Sequence, residues 1–149
     1  MKIDRKDKLF SLLVRERAGW KCEYCGKQYE PNSQGLHCSH FVSRRYRGLR
    51  WHPMNAAAHD FGCHQRLGGN PIEFAEWVER HLGPALFARL RVLRNEICKL
   101  SKSDLAEIET NLADSLARMK AARDSGVCGR IDFESPYPRD RVELARRVA

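Results

Sequence analysis

Cys22-Glu23-Tyr24-Cys25-Gly26 constrains this chain more than any other stretch. Two thiols separated by two residues, with a glycine directly behind them, can converge on one Zn²⁺ while the backbone turns tightly. Redox pairs share that spacing, but nothing around it reads as the βαβ context of a thioredoxin-like site. Cys63, 38 residues beyond Cys25, is the natural third sulfur. The chain has six cysteines, yet its first residues form no apolar leader, so disulfides are not the expected use of them. Cys98 and Cys128 have no partner at ligand spacing and read as structural. Residues 20–70 hold few large aliphatic side chains, and a closed metal site would supply the folding energy they lack.

At 149 residues the chain is about one domain long. Hydrophobic residues at 42 % suffice for a core and exclude a disordered chain. No apolar run approaches the ~20 residues needed to cross a bilayer, so a soluble, cytoplasmic protein without a membrane partner is expected. The net charge of +8 is unevenly placed. Residues 1–70 hold 13 basic and 6 acidic side chains, whereas residues 71–149 hold 14 and 13. From Pro31 to His59 no acid occurs, while Arg44, Arg45, Arg47 and Arg50 lie there among Phe41, Tyr46 and Trp51. A field of one sign with planar donors suits a phosphate backbone.

Periodicity predicts a helix over 4–18, stopped by Gly19, then a strand over 36–42. Arg50-Trp51-His52, ended by Pro53, is the expected returning strand, and a short helix should start near Cys63 and stop at Gly68-Gly69. Asn70, Pro71 and Glu73 carry the marks of a capped helix start. From Pro84, Leu86, Leu90, Leu93, Ile97 and Leu100 step by threes and fours, as do Leu105, Ile108, Leu112, Leu116 and Met119. Each seam predicts a helix, and the short connection predicts antiparallel neighbours. The expected organisation is a metal-stapled core with an N-terminal helix over 1–83, a helical hairpin over 84–125, and an irregular basic tail over 126–149 with a short helix at 140–148.

Read together, Cys22-x2-Cys25, His37-Cys38-Ser39-His40-Phe41, Arg44-Arg45, Trp51-His52-Pro53-Met54-Asn55, Cys63-His64 and Asn70-Pro71-x-Glu73-Phe74 form an ordered set. That set resembles the HNH (His-Me finger, ββα-metal) endonuclease superfamily, and within it the phage NinG-type recombination proteins and related phage HNH proteins. The resemblance covers about residues 18–83. It implies an α+β fold, a zinc-stapled ββα-metal core with a C-terminal helical extension. It also implies hydrolysis of DNA phosphodiester bonds in phage recombination or DNA processing, on branched or flap DNA, in a bacterial host cell.

The resemblance assigns roles residue by residue. His40 matches the general base, for which imidazole has a suitable pKa. His64 matches the ligand of a catalytic divalent cation such as Mg²⁺, and Asn55 matches the asparagine that orients the base or the loop. Arg44, Arg45, Arg47 and Arg50 suit phosphate contacts; His37, His52 and His81 are left as surface or structural residues.

The chain departs from the family pattern twice. Ser39 stands where many HNH enzymes have a metal-binding side chain before the base. Asp60 stands where the second knuckle has its first cysteine. The zinc set is therefore Cys22, Cys25 and Cys63 with a fourth ligand left open: Asp60 by spacing, His59 by ligand preference, Cys38 as the remainder. A catalytically silent zinc-containing DNA-binding module is the alternative function. RNA ranks behind DNA as the partner, and the helical hairpin offers a homodimer or protein contact.

Overall fold

The computed structural model describes residues 1–148, the side chains of 143–145 and 148 excepted. Helix α1, Arg5–Arg17, starts at a capping box in which Asp4 accepts from the Asp7 amide and Asp7 accepts from the Asp4 amide. Each interaction satisfies an amide that the first turn would otherwise leave unpaired. Phe10, Leu13 and Val14 form its buried face.

Strand β1, Leu36–His40, pairs antiparallel with strand β2, Ala56–Asp60, in the register Leu36↔Asp60 through His40↔Ala56. Opposed residues share a face, so His37, Ser39, Ala57 and His59 line one side of the ribbon. Leu36, Cys38, His40 and Asp60 line the other.

The returning strand is therefore not Arg50-Trp51-His52. Arg50 and Trp51 both direct side-chain nitrogens to Asp7, which docks this segment on α1. Pro53–Asn55 then makes one 3-10 turn before β2. Strand β2 escaped detection because its three alanines have weak strand propensity. They are there because the strand is buried along its whole length.

Helix α2, Phe61–Gly68, follows directly, capped by Asp60. Helix α3, Pro71–Leu82, has proline in its first turn, but the expected capping box is absent. Asn70 instead donates to the Arg66 carbonyl at 2.6 Å, and Glu73 accepts from the Tyr24 hydroxyl at 2.7 Å. Helix α4, Pro84–Asn95, ends before the predicted seam does, leaving Ile97 88 % exposed. Helix α5, Lys102–Asp124, opens on a Ser101/Asp104 capping box. Helix α6 spans Pro138–Val148.

The two seams do not face one another as a hairpin. Ile108, Leu112, Leu116 and Met119 of α5 pack with Phe10, Leu13 and Val14 of α1 in one core. Leu90 and Leu93 of α4 pack with Val78 of α3 and with Leu49 in another. Burying a large apolar side chain is worth about 1.5–3 kcal/mol, so each helix goes where a complementary face stands open. A third, smaller core of Trp20, Cys22, Leu36 and Ala58 sits beside the cysteine knuckle.

The C-terminal segment is part of the fold. Tyr137 is buried, its hydroxyl donates to the Arg47 carbonyl at 2.6 Å, and Arg139 donates to the Gly48 carbonyl at 3.0 Å. Both bonds hold the arginine-rich loop. The architecture is α+β, and no helix among the described residues is long and apolar enough to cross a membrane.

Candidate metal centre and imidazole-lined cavity

The knuckle closes through backbone geometry. The Gly26 amide donates to the Cys22 carbonyl, the Cys22 amide to the Lys27 carbonyl, and Gly26 takes φ +82°, a conformation that favours glycine. Both thiols thereby face the start of α2. Cys22, Cys25, Asp60 and Cys63 bring one ligand atom each within 4.8 Å of one another. They form a group that could hold a metal ion such as zinc.

Asp60 has two tasks there. Oδ1 accepts from the Cys63 amide at 2.7 Å as the helix cap, and Oδ2 lies 3.1 Å from Cys25 Sγ. Burial, with Asp60 and Cys25 beside it, pushes the Cys63 thiol up. Without a cation the Cys25 and Cys63 thiols keep their protons, and a divalent ion beside them would reverse that preference.

The two rival ligands lie elsewhere. His59 is fully buried on the opposite face of β2, 4.8 Å from the Trp77 ring, and neither ring nitrogen has a protein partner. Burial, then the neighbouring His64 and His81, pushes it down to about 4, so it stays neutral. Cys38 packs against the α1–α5 core, where burial pushes its thiol up to about 12. Neither belongs to the cluster.

A cavity of about 940 Å³ opens between α1 and β1, lined by His37, His40 and His64 together with Lys8, Arg15 and Arg44. His40 at the end of β1 packs its ring 5.5 Å from that of Phe10. Its Nε2 lies 2.9 Å from the Arg50 carbonyl, an acceptor only, so Nε2 carries the proton and Nδ1 the free lone pair. Burial, partly opposed by that bond and aided by Arg44, lowers the His40 pKa below its ordinary value.

Asn55 is fully buried. Its Oδ1 accepts from the Val42 amide at 2.8 Å, and its Nδ2 donates to the carbonyls of Val42 (2.9 Å) and Leu49 (3.0 Å). It therefore holds both ends of the loop that carries Arg44, Arg45 and Arg47, and its side-chain hydrogen bonds go to that loop, not to His40.

The four arginines divide. Among the described residues no carboxylate pairs with Arg44, Arg45 or Arg47. Arg50, by contrast, directs Nη2 to Asp7 at 2.5 Å and Nε at 2.9 Å. Burial alone would raise the Asp7 carboxyl, but hydrogen bonds from Arg50, the Asp4 amide and Trp51 outweigh it and hold it at about 2. Arg50 is thus a structural cation and not free for phosphate.

Two cavity residues were not foreseen. Lys8 and Arg15 come from α1, whose amphipathic pattern hides the side facing the cavity. His37, read as surface or structural, meets His64 with the two Nδ1 atoms 3.2 Å apart. Only the strand register and the position of α2 bring them together. No family profile, no curated protein and no solved structure matches this chain.

Proposed function

We propose that this protein is a metal-dependent DNA endonuclease of the HNH (ββα-metal) type, stapled by zinc at Cys22, Cys25, Asp60 and Cys63. The observation that carries the reading is His40. Its Nε2–H is committed to a backbone carbonyl and its Nδ1 is unpartnered, in a cavity that Lys8, Arg15 and Arg44 make electropositive. A neutral imidazole of fixed tautomer can take a proton from water, and the cations can receive the phosphodiester. The element order β1, β2, α2 and the position of His64 at the start of α2 agree with that chemistry.

His40 Nδ1 is the acceptor for the proton of the attacking water. Arg44, with Lys8 and Arg15, holds the scissile phosphate, and Arg45 and Arg47 extend the grip along the strand. A divalent cation held at His64 would supply positive charge to the phosphate and the leaving oxygen. The residue preceding the base offers it little: Ser39 is fully buried and its Oγ has no partner.

That serine favours a second reading, a zinc-containing DNA-binding module that does not cleave. The two are separated by incubating wild type and His40→Ala with duplex, branched, flap and single-stranded DNA and with RNA, in EDTA, Mg²⁺, Mn²⁺ or Ni²⁺. The likeness to phage NinG-type proteins makes branched and flap DNA the first substrates to try. Metal-dependent cleavage lost in a folded, zinc-loaded His40→Ala supports the nuclease. A folded wild type that binds DNA in a salt-sensitive manner and never cleaves supports the binding module.

A further inference from the structure

We infer that His37 and His64 together form a second metal site, an imidazole pair for a first-row divalent ion, distinct from the cysteine cluster. The inference deepens the nuclease reading by naming how a cation is held where Ser39 cannot serve, and its test is independent of cleavage.

His37 is on β1 and His64 is in the first turn of α2, and their rings stand nearly perpendicular with centroids 5.4 Å apart. Their Nδ1 atoms lie 3.2 Å apart. Two metal–nitrogen bonds of ~2.0–2.1 Å spanning that separation meet at about 100°, between the ~90° of an octahedral ion and the ~109° of a tetrahedral one. The two nitrogens share a hydrogen bond at the separation of adjacent ligands of one ion, and a turn of the rings that breaks it would aim both lone pairs at that ion.

The surroundings fit as well. Both rings line the large cavity, so water or phosphate oxygens can complete the coordination sphere. Phe61 packs its ring 5.8 Å from that of His37 and limits its rotation. No carboxylate competes for either imidazole among the described residues. A site with two imidazoles and open positions prefers nickel, cobalt or zinc to magnesium, because neutral nitrogen donors suit the softer ions.

The full-length, zinc-loaded chain is titrated with Ni²⁺ by calorimetry, with zinc content and thermal melt recorded for each variant. Wild type is expected to take up one Ni²⁺ while keeping its zinc. His37→Gln and His64→Gln should each weaken that uptake at least 10-fold with zinc and melt retained, and His52→Gln should not. A wild type that binds no Ni²⁺ beyond the zinc overturns the site, as does a folded His37→Gln that binds like wild type. Mg²⁺-dependent cleavage without a Ni²⁺ site would remove this inference and leave the nuclease standing. An inactive chain that binds Ni²⁺ through both histidines would do the reverse.

Discussion

The Arg50 carbonyl stands 2.9 Å from His40 Nε2, while the guanidinium of the same residue is gripped by Asp7 of α1. The strand-end imidazole is thereby oriented through a residue whose own position is set by an ion pair on a different element. Trp51 adds a third hold, its Nε1 donating to Asp7 at 3.0 Å. Asp7→Asn should lower unfolding free energy by about 3–5 kcal/mol, the usual consequence of leaving one partner of a buried pair alone. Urea unfolding measures this, and an unchanged midpoint would remove the coupling.

Under the proposed nuclease mechanism, the cleavage rate should depend on pH through His40. Its pKa lies below the ordinary 6.5 because burial disfavours the imidazolium. The base is then neutral and competent throughout the neutral range, and activity falls only as pH drops through that lowered value. Arg44 contributes to the lowering, so Arg44→Gln should move the acid limb to higher pH. A pH–rate profile at saturating metal checks the direction, and a limb above pH 6.5 in wild type would contradict it.

Zinc stoichiometry should sort the ligands. Cys22→Ser and Cys63→Ser are expected to lose the metal and the small core around Trp20, Leu36 and Ala58. Asp60→Asn can keep the cap on α2 while losing the anionic oxygen, so a drop in zinc affinity of about 10-fold or more reports ligation and not helix fraying. His59→Leu should retain the zinc in full, since neither ring nitrogen belongs to the cluster.

DNA affinity should separate the arginines by salt dependence. Replacing Arg44, Arg45 or Arg47 with alanine should each reduce the slope of log affinity against log salt by about 1. Arg50→Ala should instead lower stability and leave the slope nearly unchanged. Fluorescence anisotropy across a salt series distinguishes these outcomes.

Asn55→Ala removes three hydrogen bonds, two of them to the carbonyls of Val42 and Leu49 and one from the Val42 amide. At about 1 kcal/mol each, plus the cost of unsatisfied backbone groups, the loss should be about 3–5 kcal/mol. Unfolding would show it together with weaker DNA binding, because the arginine loop loses its anchor. Unchanged stability would mean that Asn55 does not secure the loop.

The local chemistry of this protein was legible in its residues. Cys-x2-Cys with glycine behind it and the threes and fours of α5 each speak through neighbours in the chain, and spacing suffices for them, whereas Asp60 stood level with His59 and Cys38 until the fold placed it alone beside the three thiols. Strand β2 was not legible, because three alanines mark tight burial and only the assembled ribbon supplies that burial. The fate of the two leucine seams was not legible either, since periodicity identifies an apolar face without naming what will cover it. Arg50 looked like its three neighbours until Asp7, 43 residues away, came to pair with it. The meeting of His37 with His64 depends on the register of one strand pair and the position of one helix. Which reactive side chains the chain carries is written in its residues, but which of them meet follows from how the elements pack, because long-range contacts do not depend on local spacing.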